Sequence, residues 1–132
     1  MTTHATGPFD VKITPQGPDI ADVPMLGRMS IDKQYHGDLD AKAVGQMLTA
    51  GTDTKASGAY VAVERVTGTL NGRAGTFLLH HRGIMTRGTP DLSISVVPDS
   101  GTGQLAGLTG TMAIVIAPGG KHSYEFEYAL PD

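Results

Sequence analysis

Glu64 and His81 stand on opposite arms of a stretch, residues 57–86 (SGAYVAVERVTGTLNGRAGTFLLHHRGIMT), that the sequence doubles back on itself. A carboxylate and an imidazole that meet in an apolar surround can move a proton on a bound molecule or hold one of its polar groups. The same two residues could equally form a buried polar staple, because a carboxylate taken out of water must be hydrogen-bonded or protonated. Whether they meet depends on register. Asn71-Gly72 supplies the two positive φ values of a type I′ turn, and β-rich runs flank it. Folding there sets Val66 opposite Phe77, Glu64 opposite Leu79, Ala62 opposite His81 and Tyr60 opposite Gly83. Directly opposed side chains share a face, so Tyr60, Ala62, Glu64, Val66 and Leu70 line up with Phe77, Leu79, His81 and Met85. This is the more apolar face and is assigned inward. Glu64 and His81 become diagonal neighbours, roughly 7–8 Å apart at the backbone.

Other combinations of reactive residue types carry less. Asp99-Ser100-Gly101-Thr102 matches the pattern around the catalytic carboxylate of aspartic proteases, which pair two such acids over one water. One copy per chain would require a dimeric hydrolase, and Asp, Ser and Gly are also ordinary turn residues. The stretch from Gly101 to Ala106 fits G-x-G-x-x-A, but no helix follows to meet a pyrophosphate, so no dinucleotide site is expected. His80 and His81 point to opposite faces of a strand and cannot share a metal ion, so no metal and no cofactor are expected. A serine nucleophile elbow is absent from the sequence. His4 and His36 read as surface residues.

These groups need a frame, and the frame reads as strands throughout. Residues 9–14 alternate Phe9, Val11, Ile13 with Asp10, Lys12, Thr14, and residues 25–36 alternate again through Met29, Ile31 and Tyr35. Further strands are expected over residues 90–97, 105–117 and 122–130, the last with Tyr124, Phe126, Tyr128 and Leu130 on one face. Residues 41–50 are ambiguous, since Asp40 could cap a short helix ending at Gly51. Residues 1–8 are expected to be a flexible arm, and the whole chain, 1–132, a single domain. With a symmetric Pro118–Lys121 turn, Tyr124, Phe126 and Tyr128 would share a face with Val115, Ala113 and Thr111. Met112, Ile114 and Ile116 would then point partly outward, which calls for either a bulge or a covering second copy.

Composition narrows the function classes. Eighteen glycines and eight prolines in 132 residues punctuate turns, while 39% hydrophobic residues suffice for a core. A net charge of −3 offers no basic stripe for nucleic acid. No cysteine is present, which removes disulfides and thiolate chemistry and suits a reducing cytoplasm. No run approaches the length of a membrane span, and the amino terminus lacks a signal-peptide pattern, so no membrane association is expected.

From Gly58 onward, AYVAVERVTGTLNGRAGTF, HHRG, VVPDSGTGQLAGLTGTM and HSYEFEYAL resemble the bacterial DUF3224 family, whose fold is similar to that of allene oxide cyclase barrels. YHGDL at residues 35–39 is a weaker early mark, and the likeness spans roughly residues 25–130. It implies an all-β, antiparallel closed barrel of about eight strands with an internal cavity, and it favours a strand over residues 41–48. It implies no reaction. The leading expectation is therefore a barrel that binds an apolar or aromatic small molecule, contacted by Tyr60, Phe77, Tyr124, Phe126 and Tyr128 beside Glu64 and His81, in a homo-oligomer, with a dimer favoured. The alternatives are an acid–base isomerase or cyclase using Glu64, a dimeric hydrolase using Asp99, and a partner-binding protein.

Overall fold

The computed structural model describes residues 2–17, 20 and 23–131. Eight strands, each paired to the next, form one closed antiparallel barrel: β1 (Thr3–Pro15), β2 (Leu26–Tyr35), β3 (Leu39–Gly51), β4 (Gly58–Leu70), β5 (Arg73–Thr86), β6 (Thr89–Val96), β7 (Thr109–Ile116) and β8 (His122–Ala129). A single 3-10 turn, Gly103–Leu105, interrupts the β-structure of the described residues. None of their helices is long and apolar enough to cross a membrane.

Period-two patterning decides which side chains enter the barrel. Asn71 and Gly72 take φ values of 47° and 84°, the left-handed pair that a type I′ hairpin demands. The β4–β5 register follows from that turn, with Glu64 opposite Leu79 and Ala62 opposite His81, as expected. Closure comes from β1, which pairs with β2 on one side and β8 on the other.

Two expectations give way and one open choice is resolved. Residues 3–8 are strand, not an arm, and their partners are Tyr128 through Ser123. Ala5 and Gly7 continue the inward phase of Phe9 with side chains small enough to admit Tyr124 and Phe126, so this segment has little hydrophobic signal of its own. Residues 41–50, ambiguous from their own pattern, lie in β3, the strand that the family resemblance favoured. Their inward set is Ala41, Ala43, Gly45 and Met47, in which alanine and glycine mask the alternation. The β7–β8 register also differs: the loop takes five residues, 117–121, closed by the Ala117 amide donating to the Lys121 carbonyl at 2.9 Å. Ile116 then faces His122, Ile114 faces Tyr124, and Met112 faces Phe126. Met112 is buried and Ile114 half-buried, so the outward apolar edge that suggested a covering copy disappears; Ile116 alone stands exposed, at the rim.

The two ends of the barrel are unlike. At the end holding the 36–38 and 71–72 turns, Leu39, Leu70, Phe77, Leu105, Leu108, Phe126 and Tyr128 are all buried. There β6 and β7 stop short of the end, and the connecting segment stands in for the missing strand. Ser100, Thr102 and Gln104 side chains accept hydrogen bonds from the Leu78, Thr76 and Ala74 amides of β5 at 3.0, 3.0 and 2.8 Å. Leu105 and Leu108 plug the interior above them. At the opposite end, inward-phase residues remain open to solvent: Ile13 is 45% exposed, Met85 41% and Leu92 40%.

Candidate functional site

Midway between these ends lies a charged layer. Glu64 enters it from β4 and is fully buried. Its Oε2 accepts hydrogen bonds from His81 Nε2 at 2.9 Å and from Lys33 Nζ at 2.9 Å, while Oε1 accepts the hydroxyl proton of Tyr35. Lys33 Nζ also donates to the Tyr35 hydroxyl oxygen at 3.4 Å. The Lys33 side chain is only 6% exposed, and its ammonium lies 5.3 Å from the Phe9 ring centre and 5.6 Å from that of Tyr35. A buried charge is tolerated only when paired and hydrogen-bonded, and here both conditions hold.

The strands dictate who meets whom. β3 separates β2 from β4, and its inward residues between the partners are small: Ala43 lies beside Lys33, and Gly45 beside Glu64. Lys33 and Tyr35 reach across that low strip to the carboxylate. His81 arrives by the diagonal relation that the Asn71-Gly72 hairpin imposes.

Electrostatics fix the state of the carboxylate. Burial, the largest influence, pushes the Glu64 pKa up, but the hydrogen bond from His81, the Lys33 ammonium and the Tyr35 hydroxyl outweigh it and hold the value at about 2, below the ordinary 4.5. Burial and then the neighbouring Glu64 charge push the Tyr35 phenol far up, so Tyr35 is a permanent donor. An ionised carboxylate only accepts, so His81 Nε2 must carry the hydrogen in their bond. Glu64 is consequently a weak base and an absent acid near neutral pH; its action is to anchor Lys33, Tyr35 and His81.

Above this layer, toward the open end, lies an apolar cleft of about 380 Å³ whose walls include Met47, Tyr60, Gly83, Met85, Leu92 and Ile116. Tyr60 belongs to both regions. Its ring occupies the space a side chain at position 83 would need, since a Cβ there would come within 2.3 Å of Tyr60 Cε1. The same ring stands 6.4 Å from the His81 ring, centre to centre. Burial, then the charge of Glu64, raises the Tyr60 pKa, which keeps its hydroxyl protonated.

Of the residues expected from sequence to form a pocket, the structure joins Glu64, His81 and Tyr60. Phe77, Tyr124, Phe126 and Tyr128 are elsewhere, packed into the closed half. Phe77 stacks on Phe126 with ring centres 5.9 Å apart. Tyr124 donates to the His36 carbonyl at 2.6 Å and accepts from the Leu39 amide at 2.8 Å. The Tyr128 hydroxyl accepts from Asn71 Nδ2 at 2.6 Å. The two tyrosine hydroxyls tie turns together. Asp99 is exposed in the turn after β6, at a φ of 63°. The serine and threonine that follow it are committed to the β5 amides. His4 and His36 lie on the surface, paired with Glu127 and Asp10.

Lys33 and Tyr35 were not singled out as site residues from sequence. The signal was present: Lys33 stands in phase with Met29, Ile31 and Tyr35, so a charged residue occupies an inward slot of an otherwise apolar row.

The family model described as a protein of unknown function, DUF3224, matches residues 5–128. Among solved structures, a crystal structure of a DUF3224-family protein of unknown function from Shewanella oneidensis MR-1 is 48% identical in sequence, with a TM-score of 0.93, covering 100% of this chain and 99% of that one. Among curated proteins, none matches.

Proposed function

This chain belongs to the DUF3224 family, and we propose that it is a small-molecule binder whose ligand enters the open end of the barrel. The supporting observation is the contrast between the two ends. One is plugged by Leu105 and Leu108, whereas the other leaves inward-phase Met85 and Leu92 about 40% exposed around the cleft of about 380 Å³. Apolar side chains directed into a barrel yet left in contact with water are costly to the apo protein, and burying them under a ligand recovers that cost. The volume falls in the range of roughly 300–1,000 Å³ typical of ligand pockets. The ligand is apolar or aromatic, matched by Met47 and Met85, whose flexible thioethers pack readily on ring systems. Tyr60, the tyrosine among the lining residues, carries the hydroxyl that would meet a polar group of the ligand. A cysteine-free chain suits a reducing compartment, and we place the binder in the cytoplasm.

Anilinonaphthalene sulfonate serves as a test ligand. Two-dimensional NMR should place its shift changes on Gly83, Met85 and Leu92, and Leu92→Asp should weaken binding at least about tenfold, as expected when a charge is forced against an apolar ligand. Binding that is indifferent to Leu92→Asp and to Met85→Asp would sink this reading.

A further inference from the structure

Beside the charged layer stand two groups whose polar atoms are unspent: Tyr60, which lines the cleft, and His81, two residues along β5 from the cleft-lining Gly83. The His81 ring is fixed through Nε2, which donates to Glu64, so in the neutral ring the lone pair lies on Nδ1. Neither His81 Nδ1 nor the Tyr60 hydroxyl has a hydrogen-bond partner among the described residues. The other polar side-chain ends of the layer, Lys33 and Tyr35, are consumed by Glu64 and by each other. Gly83 matters here because it leaves room for the Tyr60 ring to lie across the cleft floor, beside the imidazole.

We propose that Glu64 and His81 form a proton-transfer dyad serving the cleft, with His81 as the base, Glu64 as its positioning residue and Tyr60 as the donor to the oxygen that gains negative charge. This rests on the cleft being a ligand site and adds a reaction to it. The substrate class is a small apolar β,γ-unsaturated carbonyl compound with an acidic C–H between the two double bonds, and the reaction is an isomerisation to the conjugated α,β-unsaturated compound. His81 Nδ1 takes the proton from the carbon next to the carbonyl. The C–H electron pair becomes the new C=C bond, and the C=O π pair moves to oxygen, where the Tyr60 O–H meets it. As the oxygen's pair re-forms C=O, the pair of the new C=C shifts to lie between the α and β carbons, and the pair of the original β,γ C=C takes the same proton at the γ carbon. The base is restored, and nothing is oxidised or consumed. A carboxylate that orients an imidazole and fixes its tautomer is a recurrent arrangement for such bases. The groups facing His81 are Glu64 and Tyr60 from β4, with Lys33 and Tyr35 of β2 reaching it through Glu64; its neighbour on β6 is Ile94, which cannot titrate.

Nitrobenzisoxazole tests the dyad without knowledge of the natural substrate. A base removes its ring C–H, the electron pair forms a nitrile as the N–O bond breaks, and a coloured cyanophenolate is released. The wild-type protein should turn it over saturably, with competition by the unreactive nitroindazole. His81→Ala should lower the rate by about 100-fold or more, the usual weight of a positioned base, leave nitroindazole affinity within about threefold and recover turnover when free imidazole is added. That rescue is a response no purely structural histidine would give. Tyr60→Phe, which removes only the hydroxyl, should cost about tenfold in rate, and it keeps the test usable if His81→Ala does not fold. Nitroindazole that binds in the cleft while wild-type turnover stays at the level of free imidazole overturns the dyad alone. Failure of nitroindazole to bind overturns the ligand reading and the dyad with it.

Discussion

Replacing Lys33 by methionine tests the charged layer most directly. The two partners are almost wholly withdrawn from water, at 6% and 0% side-chain exposure, and their contact is 2.9 Å. Lowering the Glu64 pKa from 4.5 to about 2 corresponds to about 3 kcal/mol of folding stability near neutral pH. Removing one member of a buried pair costs about 3–5 kcal/mol, because the remaining charge keeps its desolvation penalty. Tyr35 and His81 still serve Glu64 in Lys33→Met, so the low end, about 3 kcal/mol, is expected. A domain with roughly 5–15 kcal/mol of stability survives that loss. Urea unfolding at neutral pH reads it as a lowered midpoint at unchanged slope. Glu64→Gln should cost a similar amount by stranding the ammonium, and the double variant should be at least about 2 kcal/mol better than the two losses added together. The pH dependence follows from the sign of the shift. A carboxyl whose folded pKa lies below its unfolded one stabilises fully above about 4.5, and the gain disappears as pH falls toward about 2. Without Lys33 the folded pKa rises toward the unfolded one and that acid-side slope flattens. A Lys33→Met protein within about 0.5 kcal/mol of wild type, with the same acid-side slope, would refute the pairing argument.

Gly83→Ala forces a Cβ to within 2.3 Å of the Tyr60 ring, so the ring must leave the cleft floor; a stability loss of about 1–3 kcal/mol in thermal melts and weaker anilinonaphthalene sulfonate binding are expected together. Thr102→Val deprives the Thr76 amide of its acceptor at 3.0 Å and should cost about 1 kcal/mol in urea unfolding. Asp99→Asn should stay within about 0.5 kcal/mol, since asparagine tolerates the φ of 63°, whereas the β-branched Asp99→Val should lose about 1–2 kcal/mol.

The readable parts of this molecule were those fixed by strong local chemistry. Asn71-Gly72 admits one turn type, and that turn sets every cross-strand pair from Leu70 with Arg73 to Gly58 with Met85. It therefore placed Glu64 beside His81 from sequence. Where turn chemistry permits several loop lengths, as in Ala117-Pro118-Gly119-Gly120-Lys121, register was not legible, and one residue of slip exchanged Met112 and Ile114 for Ala113 and Val115 on the inner face. Small inward residues hid two further elements, Ala5 and Gly7 in β1 and Ala41 to Gly45 in β3, because hydrophobic alternation needs bulk to be seen. Lys33 escaped for the opposite reason: lysine is almost always a surface residue, and only its phase along β2 marks it as internal.

That phase has a consequence for how the acid and the base divide their work. An isolated glutamate in an apolar barrel would be driven up in pKa and could act as an acid near neutral pH, as a lone pairing with His81 allowed. The short side chains of Ala43 and Gly45 let Lys33 and Tyr35 cross from β2, and their arrival drives the carboxyl the other way, to about 2. Once ionised and holding three donors, Glu64 has little proton affinity left to spend on a substrate. What it retains is geometry, since one oxygen holds Nε2 of His81 and so orients the imidazole. In the proposed dyad the proton therefore passes through His81 and not Glu64, a division of labour that the short side chains of Ala43 and Gly45 make possible.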